Sequence, residues 1–124
     1  MSTWDDRTLI EDLVAHGVDD WVDDAWVFGN IASRAALSVE DRLPIAIGVI
    51  TFSLVKGFVI AGDVMDGFQP WAMSASQSVR AISERWLTRE DPAVRPGDIC
   101  WFSNTAVGEE LGLAVLAREA KHRE

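Results

Sequence analysis

Asp19, Asp20, Asp23 and Asp24 stand together in the string Asp-Asp-Trp-Val-Asp-Asp. On a helix, carboxylates four residues apart share a face, so Asp20 and Asp24 could hold magnesium and, through it, a diphosphate. Chemistry of that kind calls for a second acidic motif and a large helical cavity, and the sequence offers neither. The same residues also suit the start of a helix, where a carboxylate meets the positive end of the backbone dipole and gains about 0.3–1 kcal/mol. The capped helix start is the better reading. The four aspartates are then an acidic patch rather than a metal centre.

The remaining candidates for chemistry are sparse. None of Ser33, Ser38, Ser53, Ser74, Ser76, Ser78, Ser83 and Ser103 lies in a Gly-x-Ser-x-Gly context. His16 and His122 lack a Ser or Asp partner placed for a triad, and no Cys/His spacing suits a metal. Gly57, Gly62 and Gly67 recur every five residues, outside any strand-to-helix phosphate loop. The single Cys100, between Ile99 and Trp101, cannot form an internal disulfide and reads as a small buried apolar residue. Its solitude favours a reducing cytoplasm. No catalytic residue, cofactor or metal is expected. Trp71, Trp86 and Trp101 could line an aromatic pocket for a flat or cationic ligand, or could fill the core of a small domain.

These residues belong to a chain of 124 residues, the size of one domain, with 48% apolar residues, six Trp and five Phe. Its net charge of −9 is uneven: residues 1–41 hold ten acids and two bases, the remainder ten acids and nine bases. That asymmetry places an acidic face near the start and disfavours nucleic-acid backbones there, since phosphates need Lys and Arg. The stretch from Leu43 to Gly62 is long and apolar enough to suggest a bilayer span. Lys56-Gly57 interrupts it, Pro44 and Gly48 add breaks, and no Lys/Arg cluster flanks it. The residues before it do not read as a signal peptide. A buried helix followed by a buried strand is the better expectation, with no membrane.

Periodicity predicts a helix over residues 4–16 and a second over 20–33, capped by Asp19 or Asp20. Ser38 opens a third, which ends at Lys56-Gly57 and should kink or start late at Pro44. Phe58 to Val64 reads as a strand and Asp66-Gly67 as a turn. Pro70 argues against a central strand after it. Ser74 and Gln77 form a capping box for a fourth helix to about Arg89. A loop with two prolines leads to a buried strand over Ile99–Phe102. A last helix, apolar on two sides, runs from about Thr105 to Lys121.

Two strings sit at the joints of this order. Leu54-Val55-Lys56-Gly57-Phe58-Val59 marks a helix-to-strand change, and Trp101 to Leu111, with Asn104-Thr105-Ala106-Val107-Gly108, a strand-to-helix change. Together they resemble the winged-helix domains of bacterial transcription regulators. In those domains the third helix ends in a Leu-x-x-Gly-Leu/Phe-Val string before the first wing strand, and the returning strand opens the next helix through Leu-Thr-x-x-Gly. The segments Gly67–Trp71 and Ile99–Gly108 also resemble a group of uncharacterised small bacterial proteins. The winged-helix resemblance implies a single α+β, mostly helical domain over 1–124, from which the chain departs by a helical insertion of about thirty residues between the two wing strands. It also implies DNA binding, but the chain departs from the pattern where that matters. The third helix opens Val39-Glu40-Asp41-Arg42 and continues nearly all apolar, while Arg80, Arg85 and Arg89 are the one sizeable basic group. The expectation is therefore a non-catalytic protein-interaction module whose acidic face, Asp19, Asp20, Asp23 and Asp24, meets a basic partner. A DNA-binding regulator and a small-ligand sensor are the alternatives, and the last helix is a candidate homodimer surface.

Overall fold

A computed structural model describes residues 7–34 and 36–122. Thr8 opens α1 (Leu9–His16) with a full capping box: its hydroxyl accepts from Glu11 N–H, and the Glu11 carboxylate accepts from Thr8 N–H. Residues 4–6 of the expected first helix lie outside the described residues. A two-residue strand β1 (Val22–Asp23) precedes α2 (Asp24–Arg34). This corrects the expected helix over 20–33, because Val22 is buried and pairs with Phe102 while Asp23, not Asp19 or Asp20, caps the helix.

Ser38 caps α3 (Val39–Val55), which runs through Pro44 without a late start. It ends where expected: Lys56 is the cap, and Gly57 takes φ +74°, a conformation that Gly adopts at little cost. Strand β2 (Val59–Val64) follows, then a tight turn with Asp66 and Gly67 both at positive φ, then β3 (Phe68–Pro70). Ser74 and Gln77 form the second capping box, at the start of α4 (Ala75–Leu87). Strand β4 (Trp101–Asn104) leads into α5 (Ala106–His122).

The four strands form one antiparallel sheet in the order β1-β4-β2-β3, with Pro70 on an edge strand where its missing N–H costs no ladder bond. The domain is thus α+β. The apolar run from Leu43 to Gly62 divides between α3 and β2, and no helix among the described residues is long and apolar enough to cross a membrane.

The core joins one sheet face, through Val22, Val59, Ala61 and Phe102, to Leu13, Phe28, Ile50, Leu54, Ile82 and Trp86 of the helices. Helix α5 instead packs on α1, so closely that a Cβ on Gly112 would stand 2.4 Å from the Val14 carbonyl oxygen, and its first turn abuts the α3–β2 joint, where one on Gly108 would stand 1.9 Å from the Phe58 carbonyl oxygen. Beneath α5 the sequence hid an ion network. Glu119, 1% exposed, accepts from Nε and Nη2 of Arg7, whose Nη1 reaches Asp12 at 3.4 Å; Asp12 in turn binds Arg34 and Asn30.

Candidate functional site

The four aspartates do not share a surface. Asp24 is fully buried, which corrects its place in the expected acidic patch. Its carboxylate accepts from Ala25 N–H at 2.8 Å, Gly97 N–H at 2.8 Å and Ile99 N–H at 2.5 Å, and so ties the start of α2 to the loop before β4. Burial raises its pKa above the ordinary carboxyl value, against the pull of those three N–H groups. Neighbouring Cys100 is also fully buried, and desolvation first, then the Asp24 charge, pushes its thiol well above the usual value. Asp23 is half-buried and spends its carboxylate on Trp26 N–H at 2.8 Å. Only Asp19 and Asp20 are exposed. The i,i+4 spacing failed as a guide because the chain between them is extended rather than helical.

Asp19 and Asp20 line a cleft of about 580 Å³ with a third acid that the sequence did not single out, Glu109. Gly17 to Trp21 form one wall and Ser103 to Ala106 the other, so the cleft lies where the α1–β1 loop faces the β4–α5 junction. Its floor is fixed by Asn104, whose amide donates to the Val14 carbonyl at 2.9 Å and to Glu109 Oε1 at 3.2 Å. The first bond stops α1 against the sheet, and the second aims Glu109. Asn104 Oδ1 is shielded and has no partner among the described residues. Thr105 holds the junction itself: its hydroxyl accepts from Gly108 N–H at 3.1 Å and donates to the Gly57 carbonyl.

Among the described residues no Lys, Arg or His lines this cleft, and Trp21 stands at its rim, 37% exposed, with its ring 6.2 Å from that of Phe68. Three carboxylates beside an indole suit an extended cation: guanidinium and ammonium groups bind carboxylates and stack on indole faces. A compact metal centre does not fit, since no group of three or more His, Cys, Asp or Glu among the described residues is gathered for one. Glu109 could have been suspected as the acid in the first turn after the Thr105 cap, but only the return of β4 beside the α1–β1 loop brings it to Asp19 and Asp20.

Trp71, Trp86 and Trp101 do not form one pocket, which corrects that expectation. Trp86 is fully buried, packed on Phe28 with ring centroids 5.9 Å apart, and donates to the Pro92 carbonyl at 2.7 Å. Strand alternation puts Trp101 on the sheet face opposite buried Phe102, close beside Gly97. Trp71 donates to Asp63 Oδ2 at 2.9 Å and lies under the Arg85 guanidinium, 4.7 Å from its ring centroid. The basic group is largely engaged too, with Arg80 of α4 on Glu84 at 3.2 Å and Arg89, just past the end of α4, on Asp98 at 3.6 Å. His16 stacks on Trp26 with ring centroids 4.2 Å apart.

No protein-family model matches the chain, and neither does any curated protein or solved structure.

Proposed function

We propose that the chain is a non-catalytic protein-interaction module on a winged-helix-like scaffold, and that it binds a basic segment of a partner protein in the acidic cleft. The cleft carries the reading: Asp19, Asp20 and Glu109 line it, with no basic residue among the described ones, beside exposed Trp21. Complementary charge would speed encounter and select the partner. The scaffold reading is supported by the chain order, in which β1 follows α1, α2 and α3 come next, and β4 returns between β1 and β2. On it, β3 and α4 are the insertion between two wing strands. The third helix of that scaffold turns Glu40, Asp41, Ile45, Phe52 and Val55 to solvent, a surface that repels phosphates rather than holding them.

Titration with a hexa-arginine peptide, against hexa-glutamate and a random DNA duplex, tests this reading. The peptide should bind at low salt and weaken as salt rises. Asp19→Asn, Asp20→Asn and Glu109→Gln together should lower its affinity about 5–30-fold, at about 0.3–0.7 kcal/mol for each exposed charge pair. Equal affinity in the triple variant, or tighter binding of the duplex, would sink it.

A further inference from the structure

A second recess lies on the other side of β2, away from the acidic cleft. It is about 140 Å³ in volume and sits between the end of α3, strand β2, the segment after β3 and the first turn of α4. Leu54, Val59, Ala61, Trp71 and Met73 make its apolar wall, and Ser78 adds a hydroxyl. Ser78 is only 4% exposed, yet its side chain makes no hydrogen bond to any described residue. Buried hydroxyls are ordinarily bonded, as that of fully buried Ser53 is to the Val49 carbonyl at 2.8 Å. Ser78 has no such bond, and its hydroxyl, which is not sealed from solvent, is free to bond a guest in the recess.

The size and wall narrow the partner. An apolar cavity of about 150 Å³ accepts benzene, so this recess holds one six-membered ring and little more. Trp71 offers an indole already held in place from two sides, by Asp63 at its Nε1 and by the Arg85 guanidinium over its ring. The thioether of Met73, 44% exposed at the mouth, is a favourable neighbour for an aromatic edge. We infer that this recess binds a phenol-class ligand: a single aromatic ring with one hydroxyl, which exchanges a hydrogen bond with Ser78.

The probes are 4-fluorophenol and fluorobenzene, followed by fluorine NMR and by the indole N–H signal of Trp71. Wild-type protein should bind 4-fluorophenol saturably at about millimolar concentration, a normal affinity for so few atoms, and the Trp71 signal should move. Ser78→Ala should weaken 4-fluorophenol about 5–10-fold and leave fluorobenzene unchanged. That variant replaces an unsatisfied hydroxyl in a helix with the best helix former, so it folds at least as well as wild type, and its thermal midpoint checks this. No saturation by about 20 mM, equal affinity for 4-fluorophenol in both proteins, or shifts that spare Trp71 would each overturn the inference.

Discussion

Asp24 gives the most demanding test of how the two halves of the domain are joined. Asp24→Ala removes the acceptor of Gly97 N–H and Ile99 N–H, and Ile99 is 3% exposed. A buried donor without a partner costs about 1–3 kcal/mol. Gly97 is half-exposed, where water replaces part of its bond, and the change also relieves a desolvated charge. The net loss should be about 2–3 kcal/mol, a large share of the about 5–15 kcal/mol that keeps a domain folded. In urea, with a slope of about 1.5–2 kcal/mol per molar, the midpoint should fall by about 1–2 M. Tryptophan fluorescence reads the transition well, because Trp86 donates to Pro92 in the same loop. The pH dependence carries the sign. Folding raises the Asp24 pKa, so the folded state holds its proton more tightly than the unfolded chain. The associated stability is fully present below the unfolded value of 3.8 and is lost as pH rises through the raised folded value. Relative to non-titrating Asp24→Asn, wild type should therefore lose stability with rising pH over that window and then level off. A midpoint shift under about 0.3 M for Asp24→Ala, or a pH trend of the opposite sign, would refute the reasoning.

Further expectations follow from backbone contacts, caps and buried charge. Gly108→Ala should cost more than about 3 kcal/mol, since its Cβ would lie 1.9 Å from the Phe58 carbonyl; Gly48→Ala, on an open face of α3, should gain about 0.5–1 kcal/mol. Chemical denaturation of the two variants gives both signs in one experiment. Thr8→Ala should cost about 1 kcal/mol. Desolvation raises the Glu11 pKa, but the Thr8 N–H and Arg118 outweigh it and lower the net value. The stability linked to Glu11 is therefore present above the unfolded value of 4.5 and should fade as pH drops through the folded one, which an acid unfolding curve would show. Glu119→Ala should cost about 1.5–3 kcal/mol, since Arg7 loses its buried carboxylate partner but keeps Asp12, measurable as a fall in thermal midpoint. The apolar positions Val107 and Leu113 on α5 are each more than half exposed. If they pair two copies, solution scattering at high concentration should report a dimer that Leu113→Glu dissolves.

The parts of this fold that announce themselves in sequence are those governed by a single local rule. Ser38, Ser74 and Thr105 begin helices because their hydroxyls meet backbone N–H groups three residues on, and Lys56-Gly57 ends one for equally local reasons. What stayed hidden depends on a distant segment. Val22-Asp23 is too short to show alternation, and it becomes a strand only because β4 returns beside it. That displaced the start of α2 by four residues and carried Asp24 from an imagined surface into the core. Glu119 is the same case at the other end of the chain, a charged residue in an amphipathic-looking helix whose partner lies 112 positions away.

That pairing of α1 with α5 has a kinetic consequence. An eight-residue helix is too short to persist alone in water, so α1 gains its stability chiefly when α5 lies against it. Its capture closes a loop that spans most of the described chain, with the entropy of closure met before any contact rewards it. The α1–α5 layer should therefore be assembled late, after α2, α3, α4 and the sheet have formed. Native-state hydrogen exchange should find it opening before the rest, at a free energy below that of global unfolding. Gly17 and the residues after it sit on the seam of that layer, so the acidic cleft would open and close with it.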